Sequence, residues 1–92
     1  MTNYILSYDL NGSVPTHRQM DERIRSTCFQ YGRILETVWY IRSAWTLEQM
    51  YQHINAILSP NDRVAIVEAE DMCFRNLLVS VASLQGAWSQ AA

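Results

Sequence analysis

One short run constrains this chain more than any other: Tyr4-Ile5-Leu6-Ser7-Tyr8-Asp9-Leu10, followed at once by Asn11-Gly12. Tyr4, Leu6, Tyr8 and Leu10 occupy one alternation phase and Ile5 the other, which predicts a central β-strand with both faces covered. Asp9 stands where that strand must end. A carboxylate before a turn can be a metal ligand, a catalytic group, or the partner of a nearby backbone amide or arginine, and the residues alone leave these open.

The chain that follows alternates in type. Asn11 to Pro15 reads as a turn, in which Pro15 restricts Val14 to extended geometry. Thr16 and Gln19 form a capping-box pair, and Met20, Ile24, Cys28 and Tyr31 recur at helical spacing, so a helix is expected over 17–31, closed by Gly32. Ile34 to Ser43 is extended, and at ten residues it exceeds the common strand length of ~5–6. It is expected to divide near Glu36 to Val38 by a tight turn or bulge. Thr46 and Gln49 repeat the capping logic ahead of a second helix carrying Leu47, Met50, Tyr51, Ile54, Ile57 and Leu58, which Ser59-Pro60-Asn61-Asp62 stops. Arg63 to Ala69 is again apolar on both phases and reads as a second interior strand, ended by Glu68, Glu70 and Asp71.

Strand, helix, extended pair, helix, strand is the βαββαβ order of an α+β, ferredoxin-like sandwich, in one domain spanning 1–92. That layout sets the end of the first strand beside the start of the last and so brings Asp9 near Asp62 and Arg63. Residues 71–92 form a C-terminal extension of ambiguous structure. Met72, Phe74, Leu77, Leu78, Val81 and Leu84 fit one helical face, Leu77 to Val81 also fits an extended edge, and Trp88 is expected to dock the tail on the domain or on a dimer partner.

Composition enters through what two helices cannot cover. Of the 92 residues 49% are hydrophobic, with three Trp, five Tyr and four Met, yet a chain of this length buries only ~60–65% of its unfolded surface. Two helices protect one sheet face, so the second face is expected to meet a partner, most simply a second copy of the chain. The formal net charge is −2 with seven basic and nine acidic residues, which excludes a polybasic surface. Every basic residue is Arg, suited to bidentate contact with phosphate or carboxylate. No apolar run reaches the ~18 residues of a membrane span, and no basic segment precedes an apolar one at the N-terminus, so the expected location is the cytoplasm. Cys28 and Cys73 lack zinc-ligand spacing and are expected to be free thiols.

Tyr8-Asp9-Leu10 at the end of the first strand, an Arg-bearing helix ending in Tyr31-Gly32, and Thr37-Val38-Trp39 in the next extended segment resemble the small CRISPR adaptation proteins and their relatives, the virulence-associated ribonuclease toxins. The resemblance implies a ferredoxin-like fold, dimers formed through the sheets, and an Asp from each subunit facing its mate to serve divalent metal and phosphodiester hydrolysis. Carried to this chain, that residue is Asp9, with Tyr8 before it and Trp39 where many members place Phe. Asn11-Gly12 after the Asp, the acidic balance and the tail depart from the CRISPR pattern and set this chain among divergent relatives.

The candidate site residues follow. Asp9 is the candidate catalytic group and ligand to Mg2+ or Mn2+, a role that needs the second copy's carboxylate. His17, in the first helical turn, is a candidate general acid. Arg18, Arg25, Arg33 and Arg42 are candidate contacts to RNA or DNA phosphates, and Tyr8 and Trp39 are candidate interface or core aromatics. Three readings compete: a metal-dependent nuclease of low turnover, a non-catalytic dimeric binding or assembly module, and an interaction protein without a nucleic-acid partner.

Overall fold

The computed structural model describes residues 1–28, 30–73 and 75–91. Its elements are β1 (Thr2–Asp9), α1 (His17–Arg25), β2 (Gln30–Leu35), β3 (Val38–Ser43), α2 (Leu47–Asn55), β4 (Arg63–Glu68) and α3 (Val81–Ala91). The four strands form one antiparallel sheet in the order β2-β3-β1-β4, the βαββαβ sandwich expected from the sequence with a helical extension added. Among the described residues, no helix is long and apolar enough to cross a membrane.

β1 is central, with Leu6 opposite Trp39 of β3 on one side and Ile66 of β4 on the other. Both capping boxes form. Thr16 and Thr46 accept from the backbone of Gln19 and Gln49, whose side chains accept from the cap amides in return. Each box orients a short helix so that one pair of apolar residues reaches the sheet: Met20 and Ile24 from α1, Met50 and Ile54 from α2, all fully buried against Tyr4, Leu6, Tyr8, Trp39 and Ile41.

α1 ends at Arg25, six residues before the expected end at Tyr31. The apolar spacing continues through Cys28, but two hydroxyls unwind the helix: Ser26 Oγ donates to the Arg23 carbonyl at 2.6 Å and Thr27 Oγ1 to the Ile24 carbonyl at 2.7 Å. The amides of Thr27 and Cys28 then close three-residue turns. Tyr31 and Gly32 belong to β2. The long extended segment does divide, at a Glu36-Thr37 turn, with a register shift between Arg33 and Leu35.

β4 is an edge strand, not an interior one, and none of its residues is buried. The second sheet face also differs from expectation, because the chain's own tail covers half of it. Leu84 of α3, with Met72, Leu77, Val79 and Ala87, packs on Ile34, Tyr40, Val38 and Ile5. Neither tail alternative holds as drawn. The segment before α3 is irregular but tied to β2 by Leu78 N–H donating to the Ile34 carbonyl at 3.0 Å, and Ser80 then starts α3 by accepting the Ser83 amide on its Oγ. Phe74 and the side chains of Val81 and Trp88 lie outside the described residues.

Candidate functional site

Asp9 ends β1 opposite Arg63, the first residue of β4. Arg63 Nη1 lies 3.6 Å from Asp9 Oδ2, with both side chains largely exposed. A pair so wet is worth about 0–1 kcal/mol. The only other contact shown for the carboxylate is from the Asn11 carboxamide, whose Nδ2 donates to Oδ2 at 3.4 Å. Asp9 is therefore held near the surface without being locked.

The carboxylate that organises this corner is Asp62. Its Oδ1 accepts the Asn11 amide at 2.7 Å and its Oδ2 the Ser59 amide at 2.8 Å, while Asn11 Nδ2 donates to the Asn61 carbonyl at 2.9 Å. The Asn11 amide, followed by that of Ser59, pulls the Asp62 pKa below its ordinary value by stabilising the charged form. Gly12 completes the clasp, since a Cβ there would sit 2.6 Å from Ser59 Oγ and 3.3 Å from Ser59 Cβ. Sequence reasoning read Ser59-Pro60-Asn61-Asp62 only as a helix stop; an Asx residue three positions after a small polar one was the available signal for a side chain bonding back to its own loop.

Strand alternation sends Tyr8 to the helix side of the sheet and Asp9 to the other. Tyr8 is buried, and its hydroxyl donates to Asp21 Oδ1 at 3.0 Å. Burial first, and the Asp21 carboxylate second, push its pKa up to about 12. His17 packs on the Tyr8 ring with centroids 5.9 Å apart. His17 and Asp9 are thus directed to opposite faces and share no site within one chain. Trp39 is buried beside Tyr8 in the same core, so both aromatics serve the chain's own interior rather than an interface.

The four candidate phosphate contacts separate as well. Arg42 is buried and presents no surface to a phosphate. Arg18 is exposed and pairs with Glu22 at 3.4 Å along α1. Arg25 places its guanidinium 5.6 Å from the Tyr31 ring centroid, and Arg33 lies two residues along β2 from Tyr31. These two fall together although they come from different elements.

A further polar group joins the helices. Arg23 Nε donates to the His53 carbonyl at 2.8 Å, and His53 Nε2 lies 2.8 Å from Ser26 Oγ. The serine hydroxyl already donates to Arg23, so the imidazole Nε2 carries the proton and donates to it; this serine is not an activated nucleophile. Burial, then the Arg23 charge, lower the His53 pKa. Both cysteines are free, and burial raises the Cys28 thiol to about 11, which leaves it inert.

Among the described residues, no three His, Cys, Asp or Glu side chains converge in a way that could hold a metal ion. Both Asp62 oxygens already accept backbone amides and a guanidinium stands beside Asp9, so the donors of one chain do not fit Mg2+ or Mn2+, which favour several free oxygen ligands. What surrounds Asp9 is an open surface. Ser7 of β1 and Arg63, Ala65 and Val67 of β4 share its sheet face by alternation and register and lie outside the cluster on which the described part of the tail packs, whereas Ile5, on the same face, belongs to that cluster. Ala65 is exposed and Val67 is 53% exposed. No protein-family model matches this chain, and no curated protein matches it.

Proposed function

We propose that the protein works as a homodimer whose two copies stack through the uncovered half of the sheet, bringing the two Asp9 carboxylates into one site directed at a nucleic-acid phosphodiester. The observation that carries this reading is the position of Asp9: it shares a sheet face with Ser7, Ala65 and Val67, beside the tail-packed Ile5, and strand β4 is apolar on both phases yet has no buried residue. Such a strand is a liability in a lone monomer. The patch is also self-complementary in charge. It carries Asp9 and Arg63 side by side, so a two-fold axis can set each acid against the other copy's base or against its own mate.

Because one chain lacks the donors for a divalent cation, the second carboxylate has to be the partner copy's. Bound there, Mg2+ or Mn2+ would supply Lewis-acid chemistry to a phosphate oxygen. The two free thiols suit a reducing compartment, the cytoplasm.

The deciding experiment joins sedimentation velocity to a cleavage assay. Wild type is expected to sediment as a dimer and to cut RNA or DNA slowly with Mn2+. Val67→Arg should sediment as a folded monomer without activity, and Asp9→Ala as an inactive dimer. A wild type that stays monomeric at high concentration overturns the proposal. A dimer that cuts nothing leaves the second reading, a non-catalytic binding or assembly module, which the Arg63 guanidinium beside Asp9 favours because it occupies the place of a cation.

A further inference from the structure

The other long edge of the sheet holds a second cluster. Tyr31 and Arg33 lie opposite Ile41 and Trp39 of β3, on the face that carries α1, and β2 has no strand beyond it. Their side chains therefore overhang the margin of the sheet beside the last turn of α1. Tyr31 is 50% exposed. Its ring is not loose: the buried Trp39 indole backs it at 5.8 Å between centroids, tilted by 49°, and the Arg25 guanidinium covers it from the helix at 5.6 Å.

The charge around this ring is unbalanced. The ion pairs among the described residues are Arg18 with Glu22 and Arg63 with Asp9, so neither Arg25 nor Arg33 has a carboxylate partner at that range. Asp21, the acidic residue one turn before Arg25, is engaged by the Tyr8 hydroxyl. In a chain of net charge −2, two exposed guanidiniums outside any ion pair of the described residues share the sheet face of this half-exposed ring, Arg25 over the ring itself and Arg33 within electrostatic reach of the Tyr8 hydroxyl.

We infer that Tyr31, Arg25 and Arg33 form a stacking platform for an unpaired nucleotide of single-stranded nucleic acid. With the Arg25 guanidinium turned from the ring to a phosphate, the ring face that it covers is open to any base, and Arg33 reaches the phosphate on the other side. A duplex keeps its bases stacked within itself and offers this ring nothing. The inference rests on the phosphodiester-directed reading in one respect, since it assigns that reading a substrate class. The platform lies on the opposite face from Asp9 and is built from one chain, so it can be tested apart from dimerisation and cleavage.

The test is fluorescence anisotropy of a labelled 12-nucleotide single strand and of its duplex, without divalent metal, using wild type, Asp9→Asn and Val67→Arg. All three proteins should bind the single strand more tightly than the duplex. Tyr31→Ala should weaken single-strand binding by about 5- to 100-fold, and Tyr31→Phe by little, the range of one lost base stack. Arg25→Gln and Arg33→Gln should each lower the slope of log affinity against log salt by about 0.7. Equal affinity for duplex, an unchanged Tyr31→Ala, or no binding of either probe would overturn the platform, and the last result would assign the surface to a protein partner. A wild type that binds the single strand but shows no cleavage in the Mn2+ assay would count against the Asp9 site alone.

Discussion

The two edge strands of the sheet, β2 and β4, differ in what covers them. β2 presents Ile34 to the second face, and the tail buries it to 1% exposure while a backbone hydrogen bond from Leu78 ties the edge itself. β4 presents Ala65 and Val67 to the same face, where both are exposed and lie outside the tail cluster among the described residues. On the helix side, Val64 and Ile66 are only partly buried: they pack against the core and, with Leu47 and Tyr51, line an open groove of ≈ 470 Å³. An apolar strand thus does not locate its own cover. β2 is held by full burial of Ile34, whereas β4 is held by the partial burial of Val64 and Ile66, by its ladder to β1 and by the clasp that Asp62 makes just before the strand begins.

The largest expected effect tests that difference directly. Ile34→Ala should cost about 2–5 kcal/mol, as a fully buried residue losing its methyls does. Val67→Ala should cost less than about 0.5 kcal/mol in the monomer. Urea unfolding of Ile34→Ala in the monomeric Val67→Arg background, and of Val67→Ala at concentrations below dimer formation, reads the contrast. Equal losses would mean that β4 is buried by something within the chain and would break the comparison.

The clasp comes next. Gly12→Ala should destabilise by about 1–3 kcal/mol through overpacking against Ser59. Ser59→Ala on that background should restore part of the loss, because it removes the 2.6 Å contact with an oxygen that is buried and lacks a hydrogen-bond partner. Additive losses in the double variant would show that Gly12 matters for some reason other than its closeness to Ser59.

Much of the frame was readable before any coordinate. Thr16 with Gln19 and Thr46 with Gln49 mark both helix starts because a capping box is local, contained in four residues. The break at Glu36-Thr37 follows from strand length. What was not readable depends on distant partners or on competition within a turn. The end of α1 lies between an apolar spacing that persists to Tyr31 and two hydroxyls that end the helix at Ser26 and Thr27. The target of the tail was not readable, since Leu77 and Val79 fit a strand spacing and Leu77 and Leu84 a helical one, and neither pattern names Ile34 and Tyr40 as what they pack on. At the candidate site, the pairing of Asp9 with Arg63 followed from topology. The joining of Arg25 to Tyr31 did not, because Tyr31 had been placed on the helix that carries Arg25.

A smaller effect separates the two carboxylates near the start of β4. Asp9→Asn removes one exposed ion pair and should change stability by at most about 1 kcal/mol, with little dependence on the variant's salt conditions beyond what screening removes. If urea unfolding shows a larger loss, Asp9 has a structural role that its contacts do not account for, and its value as a free group on the open face falls.

The smallest effect is the acid response of the clasp. Asp62 has a folded pKa below its ordinary 3.8, held down by the Asn11 and Ser59 amides. A depressed carboxylate contributes stability that is fully present above the unfolded pKa and is lost as pH falls through the folded one. Wild type should therefore lose stability on acidification below about pH 4, with the amides of Asn11 and Ser59 exchanging faster before those of β2 do. Asp62→Asn keeps one acceptor oxygen and loses the charge, so its stability should start lower and fall less over the same range. Because Asp62 is solvated, water screens the contribution and the difference in slope is small. Unfolding midpoints for both proteins between about pH 3 and 6 would show it. Parallel curves would mean that the clasp is held by geometry alone, and that β4 depends on its ladder to β1 for whatever the second copy does not provide.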